Sequence, residues 1–399
     1  MVLRFTAFVI VLSLAGSGCK KTEAPHSAEP ETPALLPGMP PIVDPNNIYS
    51  ETRSGMLSSV MKGYPPRVYV PNSGSNTVDE IDPRTFRVIR HFRVGKQPQH
   101  VTPSYDMKAL WVLADLGDSL TRIDPATGKQ GETIPVKDPY NMYYTPDGKY
   151  AIVVAERVKR LDFYDAQTMK LAHSVPVPCA GVDHMDFTAD GRFLIASCEF
   201  SGTLLKVDVA NRTVAGELKL PVEGTPRGEH KGTRMHHGGG RMPVENDRMP
   251  QDVKTSPDGK VIYVADMMAD GVHIIEPDKM TYVGFIPTGT GAHGLYPSRD
   301  AKVLYCSNRD EGSVSVIDFA TRKVITKWTI PGGGSPDMGN VSDDGKVLWL
   351  SGRYHQEVYA FDTSDGHLLA RIKVGKGPHG LCVYPQPGRY SLGHTGVFR

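Results

Sequence analysis

Four histidines, two aspartates and one asparagine recur along this 399-residue chain at nearly constant spacing. They are His100, Asn141, His184, Asp252, His293, Asp337 and His379, separated by 41, 43, 68, 41, 44 and 42 residues. Brought to one place, they offer definite chemistry. Neutral imidazole ligates Cu, Zn, Ni or Fe, and carboxylates add harder oxygen donors. His100, His184, His293, His379, Asp252 and Asp337 are therefore candidate ligands for a transition metal such as Cu or Zn. With Asn141, the same residues can instead hold a polar small molecule or peptide by hydrogen bonds, or face only water. Asp183, Gln99 and Gln251 add polar groups beside them. Arg309 and Arg353 fit a bidentate clamp on a carboxylate or phosphate, or a pairing with neighbouring carboxylates. The long 68-residue spacing contains an insert at about 221–248, which carries His230, Met235, His236, His237, Met242 and Met249. Thioether and imidazole together suit copper. The insert's many glycines and low apolar content equally suit a loop without fixed structure.

The elements that position these residues are repeats. From residue 66 onward, units of about 40–45 residues share one pattern. A Pro/Gly connection leads into a short strand, and a turn such as Pro146-Asp147-Gly148 or Pro257-Asp258-Gly259 follows. Next comes an apolar strand (VLYCSN, VIYVAD, VLWLSG), then an alternating strand ending in Asp (SVSVID, EVYAFD, TLLKVD), then a last strand (KVITKWTI, HLLARIKV). Asp-Gly between alternating runs is a hairpin signal. Four strands per period is the signature of a propeller blade. Seven aligned positions give an all-β, seven-bladed β-propeller over 66–386. The first recognisable strands, RVYVPN and TVDEID, match second and third strands of a blade. The last, PHGLCVYP, matches a first strand. The C-terminal strand is thus expected to close the N-terminal blade, leaving no free sheet edge around the ring. Each aligned residue falls where an outermost strand crosses to the next innermost one, so all seven are expected at one channel mouth. The turns between second and third strands, with Asp115, Glu156, Glu199, Arg309, Glu311, Arg353 and His355, emerge on the same face.

The units VYVPNSGSNTVDEIDPRT, NMYYTPDGKYAIVVA and GLYPSRDAKVLYCSNRDEGSVSVID resemble the YVTN-repeat (YncE-like) seven-bladed propellers of bacterial exported proteins, over roughly 66–385. The resemblance implies the fold and says little about function. Related propellers include haem-binding domains of nitrite reductases, the copper-cluster domain of nitrous oxide reductase, and lactonases. The ending GRYSLGHTGVFR, in the tail 387–399, is similar to a family ending of unknown role.

Residues 1–18 read as a secretory signal: Arg4, an apolar run over 5–14, then small residues. Cys19 follows at once and resembles the lipidated N-terminus of a bacterial lipoprotein. Residues 19–65, rich in Pro and Glu toward their start, read as a flexible tether. These features imply an exported, monomeric lipoprotein of the cell envelope, facing the periplasm or exterior and held to the membrane by its anchor. Export permits disulfides. Cys179 and Cys198 are expected to approach the mouth as a disulfide, as two buried thiols, or as thiolates beside His184. Cys306 and Cys382 read as small core residues. A net charge of +1 without a basic cluster excludes a nucleic-acid footprint. No C-x-x-C-H motif is present for covalent haem, and no G-x-S-x-G nucleophile elbow. The leading expectation is an envelope binding protein for a small molecule, metal or protein partner at the His/Asp mouth. Alternatives are a metal- or haem-dependent oxidoreductase or electron-transfer protein, and a lactonase-like, metal-dependent hydrolase.

Overall fold

The computed structural model describes residues 35–222 and 247–399, with Met1, Val2 and Ala7; residues 35–399 form one unit. Seven antiparallel sheets follow one another in sequence order. Five are built from four consecutive strands alone, one is extended at its innermost strand by two C-terminal strands, and the seventh is shared between the two ends of the chain. There Cys382–Tyr384 pairs with Arg67–Asn72, ahead of Thr77–Asp82 and Arg87–Arg93. The pairing Arg67↔Tyr384 and Tyr69↔Cys382 joins the two ends of the ring, as the strand pattern requires.

Burial explains the strand types. Second strands such as Tyr150–Ala155 and Val303–Asn308 are covered on both faces by adjacent blades, so they read as nearly continuous apolar runs. Outermost strands such as Thr213–Lys219 alternate exposed and half-buried residues. Between blades, Tyr143, Ile152, Phe163, Met185, Leu194 and Leu205 pack in one continuous cluster.

The innermost strands are irregular in a repeated way. Register shifts fall between Val182 and Met185, Pro250 and Val253, Ala292 and Leu295, and Pro336 and Gly339. Each bulge contains one of the aligned residues: His184, Asp252, His293 or Asp337. A bulge re-aims a side chain that the pleat would otherwise fix. Second-strand serines hold three of the bulges: Ser197 accepts from the His184 N–H (3.1 Å), Ser307 from Gly294 (2.8 Å) and Ser351 from Met338 (3.2 Å).

Residues 35–65 correct the tether expectation. They lie across the face that carries the first-to-second-strand turns. The Leu36 and Ile48 N–H groups donate to the Asp190 and Pro257 carbonyls, and the Tyr49 hydroxyl donates to the Thr255 carbonyl at 2.6 Å. Leu36, Ile48, Tyr49 and Met61 are buried there. Pro-rich composition hid these apolar anchors, because they follow no strand or helix period. Cys19 lies outside the described residues.

On the opposite face, Arg157 Nε sits 3.1 Å from Asp115 and 2.7 Å from Asp138. Burial, reinforced by contact with Asp138 and opposed by Arg157, pushes the Asp115 carboxyl up to about 7. A raised carboxyl pKa means the folded state holds the proton longer than the unfolded chain does. Stability from this group is therefore present below pH 3.8 and lost as pH rises toward 7. Asp115→Asn should flatten this part of the stability–pH profile, by on the order of 4 kcal/mol between those limits. Urea unfolding from pH 4 to 8 checks it; parallel profiles for wild type and variant would refute it. Truncation after Lys376 removes the closing strand and should abolish cooperative thermal unfolding, as followed by circular dichroism.

Candidate functional site

The final residues build the centre of the ring. Ser391–Gly393 pairs with Val397–Phe398 and, through Gly393↔Tyr143, with the innermost strand Asn141–Tyr144. This hairpin enters from the face covered by 35–65. The Ser391 N–H donates to the Tyr105 carbonyl, and the His394 N–H to the Met142 carbonyl at 2.8 Å. Gly393 has φ +89°, and a Cβ there would lie 2.5 Å from the Met142 carbonyl oxygen, so glycine is required for this close approach. Tyr390, Leu392 and Phe398 are buried, each contributing about 1.5–3 kcal/mol of apolar burial to docking. Arg399 clasps Asp186 at 3.0 Å and lies over the Tyr49 ring. Burial acts to raise the Asp186 carboxyl, but the Arg399 guanidinium, the Lys254 charge and the Thr255 and Phe187 N–H groups together hold it below its ordinary range.

The hairpin tip is His394, stacked on Tyr143 with an interplanar angle of 11°. It meets His100 and His184. One nitrogen from each of these three rings lies within 4.8 Å of the others, and all three residues are at most 1% exposed. His100 Nδ1 lies 2.8 Å from the Tyr140 carbonyl and must donate to it, which leaves Nε2 as an acceptor. The Asn141 amide nitrogen stands 2.8 Å from His394 Nδ1 and 3.5 Å from His100 Nε2, bridging two lone pairs. Its oxygen is fixed by the Met142 N–H. His184 Nδ1 is 2.8 Å from Asp183, a charge contact without hydrogen-bond alignment, and its Nε2 has no hydrogen-bond partner. Burial, then neighbouring cationic groups, pushes the His100 and His394 pKa values well below the imidazole norm, so both are neutral near pH 7. Burial opposes protonation of His184 too, but Asp183, Asp252 and Glu199 raise its pKa overall. Two neutral imidazoles, with a third that a carboxylate backs and that gives up its proton on ligation, are chemically fit for a metal ion in this spacing.

A second network adjoins the first. Asp337 accepts from Arg309 Nε at 2.9 Å and contacts His379 Nδ1 at 2.7 Å and His293 Nδ1 at 3.2 Å. The far nitrogen of His379 lies 3.2 Å from the Tyr140 hydroxyl. The His100 and His379 rings are 4.9 Å apart, so the two networks touch.

The seven aligned residues thus divide. His100 and His184 enter the three-imidazole group, with Asn141 bridging. His293, His379 and Asp337 form the Arg309 network. Asp252 accepts backbone N–H groups from Val253 and, one blade on, Leu295, both at 2.9 Å. Arg309 is turned inward and spent on Asp337, whereas Arg353 reaches Ser73 at 3.3 Å, tying neighbouring blades. Cys179 and Cys198 form a disulfide, so neither offers a thiolate to His184. Cys306 and Cys382 are buried free thiols. His236 and His237 lie outside the described residues. Sequence reasoning missed His394 and Tyr140. The signal for His394 was a histidine set between glycines in the GHTG of the tail, where no repeat supplied a register.

No curated protein matches the chain. Among solved structures, hydrazine synthase from Kuenenia stuttgartiensis aligns with TM-score 0.60 and 18% identity, over 78% of this chain and 98% of that one. A functionally unknown protein from Desulfotomaculum acetoxidans gives TM-score 0.63 and 15% identity, over 79% and 98%. The dihydro-haem d1 dehydrogenase NirN gives 0.57 and 14%, over 83% and 77%. At these identities the likeness is one of fold. The sequence model of the YncE-like beta-propellers matches residues 35–166 and 241–388, more than half the chain, and with the seven closed blades this places the protein in the YncE-like β-propeller family.

Proposed function

We propose that this protein is an envelope metal-binding protein that holds one Zn²⁺ or Cu²⁺ ion on the propeller axis through His100, His184 and His394. The observation that carries this reading is the convergence of three buried imidazoles from three remote chain segments within 4.8 Å. Orienting hydrogen bonds and a carboxylate behind the rings support it: Tyr140 fixes the His100 tautomer, and Asp183 backs His184. His100, His184 and His394 would hold the ion, and the Asn141 amide beside two of the rings would help to orient them. Because one ligand sits on the hairpin tip, metal binding also secures the 391–398 hairpin in the ring. Three protein nitrogens leave a further coordination position for a small molecule.

Native protein, and protein stripped with chelator and reloaded, should each contain one equivalent of metal by mass spectrometry. His100→Ala, His184→Ala and His394→Ala should each weaken binding 100-fold or more in competition titrations, while His355→Ala, on an outlying turn, should leave it unchanged. Absence of stoichiometric metal after reloading would refute the reading.

We also infer export and lipid anchoring at Cys19. The Cys179–Cys198 disulfide supports an oxidising compartment. Cys19→Ser should abolish fatty-acid labelling and release the protein from the membrane fraction; persistent labelling would contradict this.

A further inference from the structure

A cavity lies beneath the same hairpin. It has a volume of about 30 Å³ and is lined by Tyr49, Lys254, Arg299, Asn340 and Gly396, among others. Lys254 projects from the innermost strand Pro250–Thr255 two residues beyond Asp252, and only 3% of it is exposed. Buried ammonium groups are normally paired, because their desolvation is costly. No hydrogen bond or ion pair reaches the Lys254 ammonium among the described residues. The nearby carboxylate Asp186 feels its charge but is taken by Arg399 and by the Thr255 N–H. Asp252 is taken by two backbone N–H groups.

Arg299 compounds the imbalance. Its guanidinium donates to the Ser342 and Val341 carbonyls and to Gln386, all neutral partners. No carboxylate within ion-pair distance offsets it, and burial lowers its pKa to about 10. Two cations without an ion-pair partner therefore line one cavity.

We propose that this cavity binds a small monovalent inorganic anion of chloride's size, bridging Lys254 and Arg299. The volume supports the choice: it accommodates one or two particles of water's size, whereas a polyhydroxy carboxylate does not fit. The anion neutralises the floor on which Gly396–Phe398 rests, and so stabilises the docked hairpin. This claim stands apart from the metal site, since none of its residues is a proposed metal ligand.

The direct test is a crystal of the wild-type protein grown in sodium bromide. An anomalous bromide peak between Lys254 and Arg299 is expected. Water alone in the cavity would overturn the proposal. The second test compares thermal unfolding in chloride and in gluconate at equal ionic strength. A midpoint about 2–4 °C higher in chloride is expected, and Lys254→Met should abolish the difference. Equal midpoints for wild type in the two salts would also overturn it.

Discussion

Seven innermost strands turn a hydrogen-bonding edge toward one narrow axis, and the rest of the structure follows from satisfying those edges. A buried N–H without a partner costs about as much as a lost hydrogen bond. The chain answers with side chains that reach from one blade to the next. Tyr143 accepts from the Met185 N–H, Asp186 from Thr255, Asp252 from Leu295, and Tyr296 from Gly339. Polar residues on the axis are therefore first a requirement of closure. Only those left over after this stitching are free for other chemistry.

That division explains why the aligned residues do not act as a single ring of ligands. Asp252 is spent on backbone, and Asp337 is surrounded by Arg309, His379 and His293. His100 and His184 retain nitrogens directed inward, and the third imidazole arrives from outside the repeat. The hairpin that brings His394 is held by apolar burial, by the Arg399–Asp186 pair and by a glycine at the tightest approach. Fold closure and site assembly thus share the last twenty residues: Cys382–Tyr384 completes the ring, and Ser391–Phe398 fills its centre.

The blades were legible because strand period, Asp-Gly turns and apolar second strands all repeat, and each repeat reinforces the register of the next. The closing strand was legible for the same reason. The meeting of His100 with His184 followed from topology. What escaped was everything without a period. Leu36, Ile48, Tyr49 and Met61 are isolated apolar residues in a Pro-containing stretch, and nothing local distinguishes them from a tether. The bulges around His184, Asp252, His293 and Asp337 depend on partner serines a strand away. His394 lies beyond the last repeat, so no alignment could place it on the axis. For Arg309 the sequence left a ligand clamp and a pairing with a neighbouring carboxylate both open, and the structure pairs it with Asp337.

The most direct measurement is anomalous diffraction at the metal absorption edge from crystals of metal-loaded protein. The account predicts one peak on the propeller axis, about 2 Å from one nitrogen each of His100, His184 and His394. A peak elsewhere, or none on the axis in fully loaded protein, would contradict it.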